Sequence, residues 1–502
     1  MLGPPASTPD ENSVLGFGRR EPIMTTLYSW EECADFDIKR IHQMYGSYVS
    51  KSQVDLIGSF GFGKTTVEYA EGMYIHTSDG RTIMDFTGGI GVLNHGHNHP
   101  DILSARRKYQ EQKRMEVHKN YLSPYIAGLS HNIAALLPDD LNISYFCNSG
   151  AEAVEGAIKL AYKYFDGSRK YVAHADISFH GKLLGAAGLT GSPELHFEFP
   201  TIPNIVEFEY DNMTSVEEMI SKLRHPDGGS DIYALILEPF NASSLRGCST
   251  EFLTAIRDIC DENDIVLIFD EVYSGWAKTG ELFHFMEHNV VPDIVTMSKS
   301  FGGGKASIAG YTSREHIFRQ AYDNRTDATL HSTTFNGMGE ECVTAMEAIR
   351  IVVEDDYVTK SKRIHERLSV GLTTLQEKHP GMIKEIRGAG ALNGVILNDE
   401  LNFAIRKVIS FVPGDMFKDP RFAAMLVTGA VIEELYSSHN ILTYFGSNRE
   451  IPLLISPPLI VSDDEIDDFV NALDQTLSLG KLKLLMNFAK QRFLPGGPRM
   501  HL

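Results

Sequence analysis

Between about residue 100 and residue 345 the chain alternates short apolar runs with stretches of helical periodicity. The runs Leu141–Cys147, Tyr171–His174, Tyr233–Leu237, Ile265–Phe269 and Ile294–Met297 read as buried strands. Between them apolar residues recur at helical spacing, as at Ala153, Ala157, Ile158 and Ala161. Strands that alternate with helices in this way build an α/β domain around a mostly parallel sheet.

The flanks follow other patterns. Residues 1–25 are rich in Pro, Gly, Ser and charge and are expected to form a flexible N-terminal arm. Short strands are expected between Val67 and Phe86, turning at Ser78-Asp79-Gly80. After about 345 helices dominate, at Ala345–Val353, Lys360–Glu377 and Asp464–Ser478, with strand-like pieces at Leu392–Leu397 and Leu453–Ile455. We therefore expect a large domain over 101–345 and a smaller α+β domain formed from an N-terminal part, 26–100, and a C-terminal part, 346–502.

A formal charge of −20 disfavours nucleic acid and anionic membrane as partners. Five scattered cysteines with no CxxC pair indicate neither a disulfide framework nor a zinc site, and fit a reducing compartment. The first residues lack the pattern of a secretory signal, and no apolar stretch approaches a membrane span. The expectation is a cytoplasmic protein.

Four pieces carry chemistry. Asn148-Ser149-Gly150-Ala151 follows a strand and opens a helix expected over 151–165, where free backbone N–H groups and the helix dipole suit a phosphate; an ordinary N-cap turn looks the same. Phe179-His180-Gly181 sits in a polar loop, where an aromatic ring can stack on a flat heterocycle, although a buried Phe beside a surface His is the ordinary outcome. Asp270 ends an apolar strand, where ligands of open α/β sheets gather, and its carboxylate can keep a ring nitrogen protonated; it can equally cap the next helix. Lys299 follows the strand Ile294–Met297 and precedes Gly302-Gly303-Gly304. An amine in such a pocket can be neutral enough to attack an aldehyde and to shuttle protons, whereas most lysines are solvated surface charges.

Taken in order, NSGAEAVEGAIKLAYKY, SFHGKLLGA, LIFDEVYSGWAKTG, PDIVTMSKSFGGG and LHSTTF resemble the class III aminotransferases, which are fold type I pyridoxal-phosphate (PLP) enzymes. The resemblance runs over roughly 65–480, and the 141–186 stretch is most similar to putrescine (diamine) aminotransferases. It implies a large PLP-binding domain over 101–345 with a mixed, mostly parallel sheet. It also implies that Lys299 holds PLP as a Schiff base, that Asp270 pairs with the pyridine nitrogen, and that Ser149, Gly150 and Ala151 cradle the phosphate. Phe179, with His180 beside it, would cover the ring. Thr334, in His331-Ser332-Thr333-Thr334-Phe335, would reach the phosphate of a partner subunit, implying a homodimer. Tyr273 stands near the PLP hydroxyl, where the family usually has Gln.

Two departures concern the substrate. Many family members carry an Arg before the late Pro-Pro to clamp an α-carboxylate, and a Glu that pairs with it in turn. Here Leu454 and Ser243 take those places. Losing both together avoids the cost of one unpaired buried charge. The resemblance thus implies small-molecule amine and carbonyl substrates, free or carrier-bound, with Arg246 and Lys305 as candidate replacement cations. The same fold and lysine also serve racemases, aminomutases, decarboxylases and non-catalytic PLP-binding relatives.

A rival reading comes from Gly58-Ser59-Phe60-Gly61-Phe62-Gly63-Lys64-Thr65, a literal P-loop match, with Asp270-Glu271 as its acidic partner in a nucleotide hydrolase. Such a loop needs a strand before it and a helix directly after it. The preceding run, Val54–Ile57, is very short for a strand, and TVEYAEGMYIHTSDG carries no helical stripe.

Overall fold

A computed structural model of the chain describes residues 27–191, 199–225, 229–400, 421–446 and 448–493. The arm expected over 1–25 lies outside them. The described residues form two compact units, one up to Val54 and one from Asp55. In the first, helix Trp30–Ala34 is closed by a reciprocal cap between Ser29 and Glu32, and helix Ile38–Tyr45 is capped by Asp37. Arg40 lies over the ring of Phe36 at 4.1 Å, and Phe36 meets Tyr28 edge-on.

The second unit is organised by a seven-stranded sheet. Its strands are β4 (Leu141–Cys147), β5 (Tyr171–Ala175), β6 (Ile205–Phe208), β7 (Ile232–Leu237), β10 (Val266–Asp270), β11 (Ile294–Met297) and β12 (Ala309–Arg314), in the order β4-β12-β11-β10-β7-β5-β6. Only β12 runs against its neighbours, so the other carboxyl ends open on one edge. The expected strands are all present, shifted by at most a residue at their ends. Asp270 is the last residue of β10 rather than a cap beyond it.

Both faces are covered. Val154, Ala157, Ile158 and Ala161 of the 150–164 helix pack on Val172, Ala234, Ile268 and Ile294, while Phe252, Leu253 and Ile256 pack on the other side with Leu235, Leu267 and Phe269. Such two-sided burial is why these strands read as continuous apolar runs.

Two smaller sheets lie at the flanks, besides a short pair of strands, β8 (Phe240–Asn241) and β9 (Arg246–Gly247). One joins β1 (Val67–Glu71), β2 (Tyr74–Thr77) and β3 (Thr82–Asp85) to β15 (Ile441–Leu442). The other orders β13 (Ile383–Ala389), β14 (Leu392–Leu397), β17 (Leu453–Ile455) and β16 (Tyr444–Phe445). A separate core gathers Phe86, Leu368, Leu372, Val431, Leu453, Ile455, Phe469 and Leu473 from the helices Tyr357–Lys378, Phe422–His439 and Asp463–Ser478 and these strands. The helix expected from Ala345 begins at Gly339, because Glu340 and Glu341 in its first turn complement the dipole before the apolar stripe starts.

The P-loop reading is corrected here. Val54–Ile57 belongs to a helix, Lys51–Ser59, and Thr65 is followed by strand β1 instead of a helix. Glu271, the supposed acidic partner, is buried and bonded to the Phe285 N–H at 2.8 Å and to the Ser274 hydroxyl.

Candidate active site

Three neighbouring parallel strands deliver three ionisable groups to the open edge. Glu238 follows β7, Asp270 ends β10, and Lys299 comes two residues after β11. Asp270 is fixed on both oxygens. Oδ1 accepts from the Thr296 hydroxyl (2.9 Å) and the Val272 N–H (3.0 Å), and Oδ2 faces His180 Nδ1 at 2.7 Å. A carboxylate held this way keeps its orientation when a cationic partner arrives.

Lys299 has a left-handed backbone, φ +49°, a conformation that costs an L-residue about 1 kcal/mol. That turn brings its Nζ to 3.3 Å from the centre of the Tyr273 ring. Burial pushes the amine down to about 7, against the opposing pull of Glu238 and Asp270. Burial likewise pushes Glu238 up to about 7, opposed by His180 and reinforced by Asp270. Glu238 accepts from the Phe179 N–H (2.8 Å) and from Asn241 (2.6 Å), so it holds the loop that carries Phe179.

That loop reverses the local expectation. Phe179 is 41% exposed and His180 only 2%. His180 is drawn inward because Asp270 gives its imidazole a partner; its Nε2 has none among the described residues.

Ser149 caps the 150–164 helix, its hydroxyl accepting from Glu152 N–H while Glu152 accepts from the Asn148 and Ser149 N–H groups. The N–H groups of Gly150 and Ala151 occupy the first turn, where a helix has no acceptor of its own. Small residues allow the close approach: a Cβ on Gly150 would come within 2.9 Å of Val272, and one on Gly181 within 2.6 Å of Ala151.

Tyr273 is packed on Gly91, where an added Cβ would meet its ring at 2.6 Å. Its hydroxyl is bonded to Tyr444 and lies 3.4 Å from Ser456. Leu454 joins Phe240, Ala242, Leu245 and Leu392 in an apolar cluster against which Tyr273 and Tyr444 pack, and it is the cross-strand partner of Tyr444. Ser243 lies nearby, bonded to Asn241 (3.0 Å) and Asn448 (2.9 Å). Arg246 is paired with Glu450 at 3.2 Å, and Lys305 is exposed. Thr334 is exposed as well, on a loop tied down by Asn148 Nδ2 to the Phe335 carbonyl (3.1 Å) and by Lys119 to the Thr333 carbonyl (2.7 Å).

Sequence reasoning passed over Thr296, Glu238 and Tyr444 as site residues, and also Arg387. Arg387 stands in one cross-strand row with Gly394, Leu454 and Tyr444 and is paired with Glu385 and Glu450. A row across antiparallel strands shares a face. Only the register of β13, β14, β17 and β16 reveals it, and one sequence does not print that register.

Over residues 62–477 the chain matches the family described as aminotransferase class-III. Its fold is similar to that of a transaminase from the marine bacterium Virgibacillus, with a TM-score of 0.76 and 20% identity over 89% of this chain and 99% of that one. The ornithine aminotransferase of Toxoplasma gondii ME49 gives 0.73 and 20% over 91% and 96%. The acetylornithine aminotransferase of Elizabethkingia anophelis gives 0.68 and 22% over 88% and 99%. The seven-stranded sheet and its surrounding helices are thus the fold of these enzymes.

Proposed function

The chain belongs to the class-III aminotransferase family of PLP enzymes, and on that premise we propose which of its residues act and on what. Lys299 is the amine that holds the cofactor, and Asp270 is the carboxylate facing its pyridine nitrogen. The N–H groups of Gly150 and Ala151, with Ser149, would take the phosphate, and Phe179 and Tyr273 would help to hold the ring, with His180 hydrogen-bonded to Asp270. The residues present suit the group: a half-buried amine, an anchored carboxylate, and a helix start kept clear of side-chain bulk by Gly150 and Gly181. When bound, the cofactor supplies the electron sink.

The chain's own residues supply the rest. With the cofactor bound to substrate, Lys299 Nζ would take the proton from the carbon bearing the substrate's amine and hand it on, and a group pushed down to about 7 is suited to give as well as receive. Asp270 stays ionised and oriented by Thr296 and Val272. Tyr273, braced by Tyr444 and Gly91, sets the position of Nζ.

The substrate is a primary amine without an α-carboxylate beside the reacting carbon, of the diamine type. The observation that carries this is Leu454: it belongs to an apolar cluster against which Tyr273 packs, and Arg387 of the same cross-strand row is already paired with Glu385 and Glu450. A panel of single-turnover reactions with diamines, monoamines, ornithine and glutamate tests it. Diamines are expected to exceed glutamate in kcat/KM by roughly 100-fold or more. Equal or better use of glutamate would overturn the assignment.

The working unit is a homodimer to which Thr334 contributes across the interface. Its exposure, and that of Leu330, Phe335, Tyr121 and Leu122 around the same loop, supports this. Light scattering should give twice the chain mass, and Thr334→Ala should weaken cofactor binding without splitting the dimer. A monomer that binds cofactor fully would end this reading.

A further inference from the structure

At the far end of the loop that starts from Asp270 lies a group of side chains the reaction does not use. His284, Glu287 and His288 come from His284-Phe285-Met286-Glu287-His288, a short helical turn that brings one ligand atom from each within 4.8 Å of the others. The two imidazoles approach through their Nε2 atoms, 3.4 Å apart. Two nitrogens on one tetrahedral zinc ion, each about 2.0–2.1 Å from it, stand about 3.3–3.4 Å apart.

The opposite ring nitrogens are already engaged. Thr279 gives its hydroxyl proton to the Ser274 carbonyl (3.2 Å), so its oxygen accepts from His284 Nδ1–H at 3.2 Å. That tautomer leaves a lone pair on His284 Nε2. His288 Nδ1 lies 2.7 Å from the Thr250 hydroxyl, which can fix its ring in the same sense. A hydroxyl behind each ligating imidazole is the arrangement that orients histidines on metals. Glu287, with Oε2 3.8 Å from His284 Nδ1 and more than half exposed, supplies a carboxylate free to swing in.

We propose that His284, His288 and Glu287 form a site for a divalent transition metal, zinc by its ligand set, with the fourth position left to water. The site is structural. It ties the end of the 271–288 loop to Thr250 at the start of the 250–263 helix. The same loop begins at the residues that carry Asp270 and Tyr273, and Glu271 holds the Phe285 N–H between the two ligands.

The test titrates zinc into chelator-treated holoenzyme by calorimetry, beside the variants His288→Ala and Glu287→Gln, with the cofactor's absorbance confirming that each variant is folded and loaded. The expected result is one zinc per chain at micromolar affinity or tighter, weakened about 100-fold in His288→Ala and about 10-fold in Glu287→Gln. The melting temperature of the parent, and not of His288→Ala, should rise with added zinc. The proposal is overturned if zinc binds the parent and His288→Ala alike, or if no binding is seen at 100-fold the protein concentration. Either result would leave an ordinary imidazole–imidazole hydrogen bond, donated by His288 Nε2.

Discussion

Among the described residues two lysines, Lys278 and Lys299, are pushed down to about 7 by loss of solvent around the amine. Lys278 is fully enclosed; its Nζ donates to the Pro457 carbonyl at 3.1 Å, and repulsion from Lys299 adds to the effect of burial while Asp85 opposes it. Lys299 keeps a partly open path to solvent, rests on an aromatic ring and answers to Glu238 and Asp270. A lowered pKa therefore does not by itself nominate a nucleophile. Access and a polar surround with work to do separate the two.

The largest expected difference is in activity. Lys299→Ala should lose the borohydride-sensitive absorbance near the visible edge and lower turnover roughly 1,000-fold or more. Lys278→Met should keep both, because a methionine of similar length leaves only the Pro457 carbonyl without a donor. If Lys278→Met were as inactive as Lys299→Ala, the contrast between the two pockets would be wrong.

The carboxylates beside them should separate next. Asp270→Asn removes the charge proposed to face the ring nitrogen and should cost roughly 100-fold in kcat with the fold intact. Asp85, whose oxygens accept from the Thr87 and Gly88 N–H groups and meet His97 at 2.9 Å, is a structural anchor. Asp85→Asn should shift the melting temperature more than kcat. Steady-state kinetics and thermal melts on the same two proteins decide it.

The smallest effect is in the pH dependence of stability. Between about 7 and the ordinary lysine value of 10.5, the unfolded chain holds protons on both lysines that the folded cofactor-free chain does not. Unfolding free energy should therefore rise with pH across that window, by up to about 1.4 kcal/mol per pH unit for each lysine. Glu238 and Glu271, pushed up to about 7, act in the opposite sense below that window and are ionised above it. Lys278→Met should remove one lysine's share of the slope. Urea unfolding at several pH values above 7 would show it, and an unchanged slope would mean that Lys278 is protonated in its pocket.

What the sequence made legible was whatever depends on local pattern. Strands buried on both faces print as unbroken apolar runs, so the sheet, and with it Asp270 and Lys299 at strand ends, could be read directly. The small-residue turn at Ser149–Ala151 was readable for the same reason. Phe179 and His180 were inverted, because local hydrophobicity cannot know that Asp270 waits inside for an imidazole. Arg387 and the two hydroxyls behind His284 and His288 were invisible, since they depend on register and on contacts between segments distant in the chain. The helices at Trp30–Ala34 and Ile38–Tyr45 were missed because, at five and eight residues, they are too short to repeat an apolar stripe such as Ile38, Ile41 and Tyr45 beyond about two turns.

The left-handed backbone at Lys299 has a consequence for how such a sequence survives. A glycine there would relax the turn and also remove a half-buried amine, so the dead enzyme should melt later than the live one. In a copy of the gene freed from selection, nothing in folding would defend this lysine, and much would favour its replacement. That the lysine stands intact in this strained place is therefore itself a sign of a chain kept for its chemistry.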